Sequence, residues 1–320
     1  MNWPRCGLVS VLCAVAAAQD FDRTALESEG RRHMESGYDL AGQGKRTEAI
    51  AEYQQALAIH RSVLGAKHLR TLTTMNLLAS ARLMSGDLAG AEPLLTEIIS
   101  TGRELYPRDM QLAEALGGLS CIVARRGNLP EAQVLADEAL ALSIAIEGEQ
   151  SVDSAMMYAN AAEIHRLAGR DSRALPLYRK ARAIYEKQLD PANPRIASVL
   201  SQEGLILMDS GQLTLAGQAM TRAVEILRRS CPGCITETWT AESNLALLRM
   251  KQEKYAEADR LLSDVLMLQE NWLPHPGRET AQTLRMLAAV REKQRRHGDA
   301  VRLTQRANQL LASHSSHEIP

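Results

Sequence analysis

The sequence contains few aromatic residues and almost no net charge. Phe, Trp and Tyr make up 3% of the 320 residues, although hydrophobic residues of all kinds make up 45%. The apolar content is therefore mostly Ala, Leu, Val, Ile and Met, which together favour helices over strands. Lys plus Arg number 37 against 38 Asp plus Glu. This balance predicts no general attraction to nucleic acid or to an anionic membrane surface.

The sequence also lacks the short motifs that mark common catalytic sites. HExxH, GxSxG, P-loop and GxGxxG patterns do not occur. The eight histidines are scattered along the chain, and Cys231 with Cys234 would supply only half of a structural zinc site. We therefore expect no metal, no cofactor and no catalytic activity.

Long hydrophobic runs are missing except near the N-terminus. "MNWPR" precedes "CGLVSVLCAVAAA", a run of thirteen mostly apolar residues that ends in three alanines before Gln19. This arrangement predicts a cleavable signal peptide at residues 1–18 and export to the periplasm or the extracellular space. Thirteen residues are too few to cross a bilayer core of about 30 Å, so no integral membrane segment is expected after cleavage. The alternative is a buried first helix.

An internal repeat runs through the rest of the chain. Alanine recurs at positions 41 or 42 residues apart, and the residue five positions earlier is Gly in the first five copies. Glu253 and Arg295 take that place in the last two copies. A small or apolar residue also lies seven positions after each alanine, which is two helical turns and therefore the same helix face. The recurring alanines are Ala49, Ala91, Ala132, Ala174, Ala216, Ala258 and Ala300.

A third small position lies seven residues before the Gly position, in a segment that also has helical periodicity. It is occupied by Gly37 and Gly204 in two copies and by Ala or Ser in the others. Each copy is therefore predicted to be two helices, whose small faces cross closely. The Gly falls in the turn between them, where a positive φ can end the first helix.

The pattern resembles the tetratricopeptide repeat in its kinesin light chain form. "ALPLYRKARAIYEKQLDPANPRIASVL", residues 174–200, is similar to that family's repeat, and "AEPLL" at residues 91–95 repeats its start. The resemblance covers about residues 24–312. It implies an all-α fold, an α-solenoid in the form of a right-handed superhelix with about seven helix-turn-helix units.

The predicted organisation follows from this resemblance. After the signal peptide, the solenoid occupies residues 19–312, and a short polar tail at residues 313–320 is expected to be disordered. The repeat units are predicted at about residues 24–66, 67–107, 108–149, 150–191, 192–233, 234–275 and 276–312.

The resemblance also implies a binding surface. In that family the first helix of each unit lines the concave side of the solenoid, where extended peptides are held. The corresponding positions are mostly small or hydrogen-bonding, and an Asn amide can bond both N–H and C=O of an extended ligand. The alternative is a solvated inner face without a partner. The predicted groove residues are Thr73, Asn76, Ser80, Asn160, Glu163, Arg166, Ser198, Ser201, Gln202, Thr240, Ser243, Asn244, Gln282 and Arg285.

The cysteines allow a second kind of chemistry. Pro-Gly between Cys231 and Cys234 favours a tight turn that a disulfide can bridge. A loop disulfide, free thiols and a redox pair all remain open, although redox CxxC pairs normally belong to αβ folds. Cys121, at a groove-facing position, is expected to be a packing residue or a lone thiol.

The sequence therefore predicts an exported, non-catalytic scaffold that binds a protein or an extended peptide in its concave groove. The charged residues Glu163, Arg166 and Arg285 would supply specificity. Two alternatives stay open: an assembly subunit of an envelope complex that uses its outer face, and a thiol-redox protein that uses the loop of Cys231 and Cys234.

Overall fold

A computed structural model describes residues 6–230, 233–273 and 277–315, with side chains for residues 23–230, 233–273 and 277–312. The chain divides into two compact units, Met1–Ala168 and Gly169–Pro320. Throughout the described ranges the regular structure is helical, with fourteen α-helices and no strand. This confirms the predicted all-α solenoid of about seven helix pairs.

The described part of the first unit contains seven helices, each packed on the one before it in the chain. They are α1 (Cys6–Gly42), α2 (Arg46–Val63), α3 (Leu69–Ser85), α4 (Leu88–Leu105), α5 (Met110–Arg125), α6 (Leu129–Glu147) and α7 (Val152–Leu167).

The second unit, where described, also has seven helices that pack in chain order. They are α8 (Asp171–Gln188), α9 (Pro194–Asp209), α10 (Leu213–Ser230), α11 (Ile235–Lys251), α12 (Tyr255–Trp272), α13 (Arg278–Lys293) and α14 (His297–Ser315). Odd-numbered helices are the first helices of the repeats, and even-numbered helices are the second helices.

The two ends of the chain differ in how far the structure describes them. The predicted signal peptide, residues 1–18, lies outside the residues with described side chains, although α1 begins at Cys6. Signal cleavage therefore stays a prediction. At the other end α14 extends to Ser315, three residues into the predicted tail, and residues 316–320 lie outside the described ranges.

The turns between first and second helices adopt the conformation that the Gly position predicts. Gly86 has φ +83° and ends α3, where its N–H and that of Asp87 bond to the carbonyls of Leu83 and Arg82 at 3.1 and 2.9 Å. Glu253 and Arg295 adopt the same left-handed conformation, with φ 60° and 62°. The turn geometry is thus kept where the glycine is not.

Side chains at the start of several first helices cap free backbone N–H groups. Asp109 accepts from the N–H of Gln111 at 2.8 Å, Ser151 from that of Ser154 at 3.0 Å, and Asn193 from that of Arg195 at 3.0 Å. Such caps stabilise a helix end by about 1 kcal/mol each. They help to fix where each first helix begins.

The recurring alanines lie in the helix crossings, as predicted. Ala49 is completely buried, as are its five following counterparts, and Ala300 in the last repeat is 6% exposed. Where both helices of a repeat belong to one unit, a larger side chain at these places would push them apart. The small residues therefore set the distance between helices.

Ion pairs join consecutive second helices on their exposed sides. Arg61 bonds to Glu97 at 2.5 Å, and one repeat later Arg103 bonds to Glu138 at 2.7 Å. The equivalent contacts in the second unit are Glu186 with Arg222, Arg228 with Asp264 and Glu270 with Arg306. These surface pairs contribute little individually, about 0.2–1 kcal/mol, but they favour one alignment of neighbouring repeats.

Candidate functional site

The predicted groove residues all lie on first helices and divide between the two units. The first unit holds Thr73, Asn76 and Ser80 on α3, and Asn160, Glu163 and Arg166 on α7. The second unit holds Ser198, Ser201 and Gln202 on α9, Thr240, Ser243 and Asn244 on α11, and Gln282 and Arg285 on α13.

Asn76 is used inside the first unit. Its side chain is 6% exposed, and its amide nitrogen donates to the backbone carbonyl and the Oε1 of Gln111, at 2.9 Å each. These bonds tie α3 to the start of α5. The amide donors expected to meet a ligand are therefore committed to a neighbouring helix.

Glu163 and Arg166 pair with each other on α7. Arg166 donates through Nε to Glu163 Oε2 at 2.8 Å and through Nη2 to Oε1 at 2.7 Å. Such a two-point contact between guanidinium and carboxylate is among the stronger side-chain interactions. The two charges neutralise one another, so neither is held ready for a partner of opposite charge.

The other predicted residues of the first unit lie in different settings. Thr73 donates its hydroxyl to the carbonyl of Leu69 in its own helix at 3.1 Å, whereas Ser80 is exposed. Asn160 lies beside Gly117, where a Cβ atom would come within 3.1 Å of its Nδ2. The absence of a side chain at Gly117 lets α5 and α7 approach at this point.

In the second unit, four predicted residues line one cavity between α11 and α13. We call it the α11–α13 pocket. Its volume is about 220 Å³. Its lining residues come from α11, α12 and α13 and are Trp239, Thr240, Ser243, Asn244, Leu247, Gln269, Glu279, Gln282, Thr283 and Met286.

The polar groups of the α11–α13 pocket are partly committed to their own helices. Thr240 donates to the carbonyl of Thr236 at 2.7 Å, and Thr283 donates to that of Glu279 at 3.3 Å. Gln269 is 3% exposed, and its Oε1 has no hydrogen-bond partner within the described ranges. A buried acceptor left unpaired is costly, about 1–3 kcal/mol.

The sequence-based prediction missed the other six lining residues, among them Trp239, Glu279 and Gln269. Trp239 precedes Thr240 on α11, Glu279 lies in the first turn of α13, and Gln269 comes from the second helix α12. A search limited to first-helix positions could not include Gln269. In the sequence, Gln269 could have been recognised as a polar residue on the otherwise apolar, buried face of α12.

Arg285 lies apart from this pocket. It donates to Asn308 Oδ1 on α14 at 3.1 Å and lines a separate cavity of about 560 Å³ between α13 and α14. Ser198 on α9 is exposed, while Ser201 and Gln202 are partly buried. The predicted groove residues of the second unit therefore do not form one uniform surface.

Two buried glutamates of this unit contact arginines. Arg182 on α8 donates through Nε to Glu203 on α9 at 2.7 Å, and Arg228 on α10 donates to Glu242 on α11 at 2.6 Å. Burial raises the pKa of both carboxyls, although each arginine opposes the rise. Each contact joins a second helix to the following first helix, which assigns these acids to helix packing.

The cysteines differ in state. Cys234 is disulfide-bonded, and its predicted partner Cys231 lies outside the described residues. The pairing of the two therefore stays a prediction. Cys121 on α5 is a free thiol whose pKa is raised by burial. No group of three or more His, Cys, Asp or Glu residues in the described chain could hold a metal ion.

Comparison with known proteins agrees with this architecture. Residues 33–104 and 111–187 match the family model of the tetratricopeptide repeat. No curated protein sequence matches the chain. Over the described residues, no helix has both the length and the apolar character needed to cross a bilayer.

Several solved structures are similar in fold. The TPR-like repeats of a Podosopora anserina protein described as a kinesin light chain give a TM-score of 0.56 at 18% identity, covering 63% of this chain and 95% of that one. BtubC (BKLC) from P. vanneervenii gives 0.54 at 21%, covering 75% and 95%. A Rap protein complexed with competence and sporulation factor gives 0.63 at 16%, covering 88% and 76%.

Proposed function

Because this chain is a tetratricopeptide repeat protein with repeats similar to those of kinesin light chains, we propose that it is an exported scaffold that binds a peptide or protein partner. In this proposal the partner lies against the first helices. The scaffold has no catalytic activity of its own.

The observation that carries the proposal is the α11–α13 pocket. The resemblance to the tetratricopeptide repeat implies that Thr240, Ser243, Asn244 and Gln282 face a ligand, and all four line this one cavity. Neutral amide and hydroxyl groups can bond the backbone of an extended segment whatever its side chains are. The chemistry of the pocket therefore suits a peptide segment.

One solved structure of similar fold supports the proposal that the chain binds a partner. The Rap protein of similar fold was crystallised with competence and sporulation factor bound to it. A chain of this architecture can therefore accommodate a partner. At 16% identity the likeness concerns the fold, so the partner of the present chain has to be identified independently.

Export is the second part of the proposal. The N-terminal sequence has the charge, apolar run and small residues of a cleavable signal, which would leave Gln19 as the first residue of the mature chain. The partner would then be a protein of the periplasm or of the extracellular space. Use of the fold to load cargo onto a cytoskeletal motor is incompatible with that destination.

The proposal can be tested by filling the pocket. In one variant Ser243→Tyr and Gln282→Tyr place two rings in the cavity. In a matched control Gln218→Tyr and Glu225→Tyr place two rings on the exposed side of the second helix α10. Chemical crosslinking in cells of the source organism, followed by mass spectrometry, identifies the proteins captured by each variant.

We expect the wild type and the control to capture the same protein and the pocket variant to lose it by at least about tenfold. Circular dichroism and thermal unfolding check that both variants fold. Unchanged capture by the pocket variant contradicts binding at this surface. Loss in the control alone favours the outer face and hence an assembly subunit.

A further inference from the structure

The α11–α13 pocket has a single charged residue, Glu279. This carboxylate lies in the first turn of α13, is exposed, and makes no ion pair within the described ranges. Most other acids that the structure describes on helix surfaces have a basic neighbour, as Glu97 has Arg61. Glu279 therefore presents a negative charge that the chain itself does not neutralise.

The repeat pattern shows why Glu279 is free. It lies nine residues before the small position Ala288, as Gln111 lies nine residues before Ser120. In the first unit Asn76 bonds to Gln111 and closes the space between the two first helices. The counterpart of Asn76 on α11 is Ser243, whose side chain is shorter. A gap remains, and the pocket occupies it.

The remaining polar groups make the pocket rich in acceptors. Thr240 and Thr283 have each donated their hydroxyl hydrogen to their own helix. Gln269, the most deeply buried of the lining residues, has an Oε1 without a partner in the described chain. Ser243, Asn244 and Gln282 can donate as well as accept, so the surplus of acceptors comes from the two threonine hydroxyls, Gln269 Oε1 and the Glu279 carboxylate. A ligand group with several donors suits this surplus.

The apolar walls and the size narrow the choice further. Trp239, Leu247 and Met286 supply aromatic and aliphatic surface beside the polar groups. The volume of about 220 Å³ is below the range of about 300–1,000 Å³ typical of small-molecule sites. The pocket is therefore of a size for one side chain of a larger partner rather than for a free metabolite.

We propose that the α11–α13 pocket binds an arginine side chain of the partner, an inference that rests on the proposed peptide-binding function. The guanidinium has five donors in a planar fork and no acceptor, and it is weakly hydrated enough to lie against an aromatic ring. It pairs with Glu279, while its aliphatic stem lies along Leu247 and Met286. Lysine has three donors and a more strongly hydrated charge, so it is the poorer ligand.

This assignment differs from the sequence-based prediction of specificity. That prediction relied on Glu163, Arg166 and Arg285, but the first two pair with each other and the third bonds to Asn308. In the present proposal Glu279, with neutral groups around it, selects a partner that carries an arginine side chain.

The test uses a displayed library of random 12-residue peptides selected against the full chain. Enriched peptides are synthesised, and their affinities are measured by fluorescence anisotropy. Each is also made with citrulline in place of each arginine in turn, because citrulline keeps the shape and loses the charge. We expect enriched peptides to share an arginine whose replacement by citrulline weakens binding by at least about tenfold.

Two substitutions assign the effect to the pocket. Glu279→Gln should weaken binding of the arginine peptide at least about tenfold and leave the citrulline peptide unchanged. Glu292→Gln is the matched control, since Glu292 lies on the same helix but lines the other cavity and bonds to His297 at 2.7 Å. The control should bind both peptides as the wild type does. Gln269→Leu should weaken binding without changing the fold.

The outcomes separate this inference from the proposed function. Enriched peptides that lose binding on Ser243→Tyr with Gln282→Tyr, yet contain no required arginine or ignore Glu279→Gln, overturn the arginine assignment and leave peptide binding intact. Peptides that are indifferent to the filled pocket, or a selection that enriches none, count against both.

Discussion

Two glycines inside first helices have no room for a side chain. A Cβ atom on Gly37 would lie 2.6 Å from Cε1 of Tyr53, and one on Gly204 would lie 2.5 Å from Cγ of Met220. Glycine in a helix interior lowers helix stability by about 1 kcal/mol relative to alanine. Close contact with the second helix offsets this loss. Both glycines occupy the small position that the repeat pattern identified.

Gly37→Ala is therefore expected to destabilise the protein, by about 1–3 kcal/mol, because the added methyl group meets a rigid ring. Gly42→Ala on the same helix is the control. Apart from its own stretch of helix, no atom lies within 4 Å of the added carbon there, so this substitution should be neutral or slightly stabilising. Urea unfolding measures both. A stabilised Gly37→Ala would show that α1 and α2 are packed less closely than described.

His60 is a buried residue of α2 whose stability contribution depends on pH. Its Nδ1 lies 2.8 Å from Oγ1 of Thr74, and the ring is completely buried. Burial lowers its pKa, and the nearby charge of Arg70 lowers it further. The unfolded chain, with an ordinary value of about 6.5, takes up a proton more readily than the folded one.

His60 should therefore make its full contribution to the free energy of unfolding above about pH 6.5. That contribution should decline as the pH falls below this value. Urea unfolding of the wild type and of His60→Gln from pH 8 to pH 5 measures this. The wild type should lose its advantage over the variant on acidification. A difference that stays constant over the whole range would contradict the described burial.

At the scale of the helix and its turns, the chain tolerates two residues in a conformation that favours glycine. Arg295, with φ 62°, follows α13 at the position where the first five repeats have Gly. A left-handed conformation costs a residue other than glycine about 1–2 kcal/mol. Glycine loses about 0.5–1 kcal/mol more conformational freedom on folding. The first effect is the larger.

Arg295→Gly should thus stabilise the protein by up to about 1 kcal/mol. Lys293→Gly is the control, because it removes the same charge from an exposed residue in the last turn of α13. This substitution should destabilise by about 1 kcal/mol. Thermal unfolding distinguishes the two directions. Equal loss in both variants would mean that Arg295 contributes through its side chain.

The last repeat has polar residues at positions where the repeat before it has apolar residues that pack on the following helices. Leu262, Leu266 and Met250 pack against the helices that follow them. Their counterparts 42 residues later are Thr304, Asn308 and Glu292. Polar side chains there are compatible with water, so this side of α13 and α14 is suited to end a stack of repeats.

At the scale of the whole molecule, the predicted export and the predicted loop disulfide are linked. Of the five cysteines, Cys6 and Cys13 lie in the predicted signal, which leaves Cys121, Cys231 and Cys234 in the mature chain. An oxidising compartment favours a disulfide in the loop that contains the last two. Burial raises the pKa of the Cys121 thiol, which makes it slow to react in the folded protein.

N-terminal sequencing of the exported protein should begin at Gln19. Thiol titration in denaturant should find one free thiol without reductant and three after reduction, since one disulfide holds two of the three remaining cysteines. The native protein should react far more slowly. A protein that retains residues 1–18 would contradict the predicted signal, and three thiols without reductant would contradict the loop disulfide.

Much of the fold was readable from the sequence because contacts in a repeat array are local. Each helix packs mainly on the helix before and after it within its unit. Small residues at the crossings and glycine in the turns are therefore enough to predict the helix pairs. Departures at Glu253 and Arg295 did not change the turn, since packing on both sides outweighs the local strain.

The accessibility of individual polar residues was not readable in the same way. Asn76 lies three residues before its small position, whereas Asn160 and Asn244 lie two before theirs. One residue turns a side chain by about 100° around a helix, so Asn76 reaches Gln111 while Asn244 lines the pocket. Periodicity along one chain fixes which helices form. Where a gap stays open depends on side-chain lengths on two or three helices that meet only after folding.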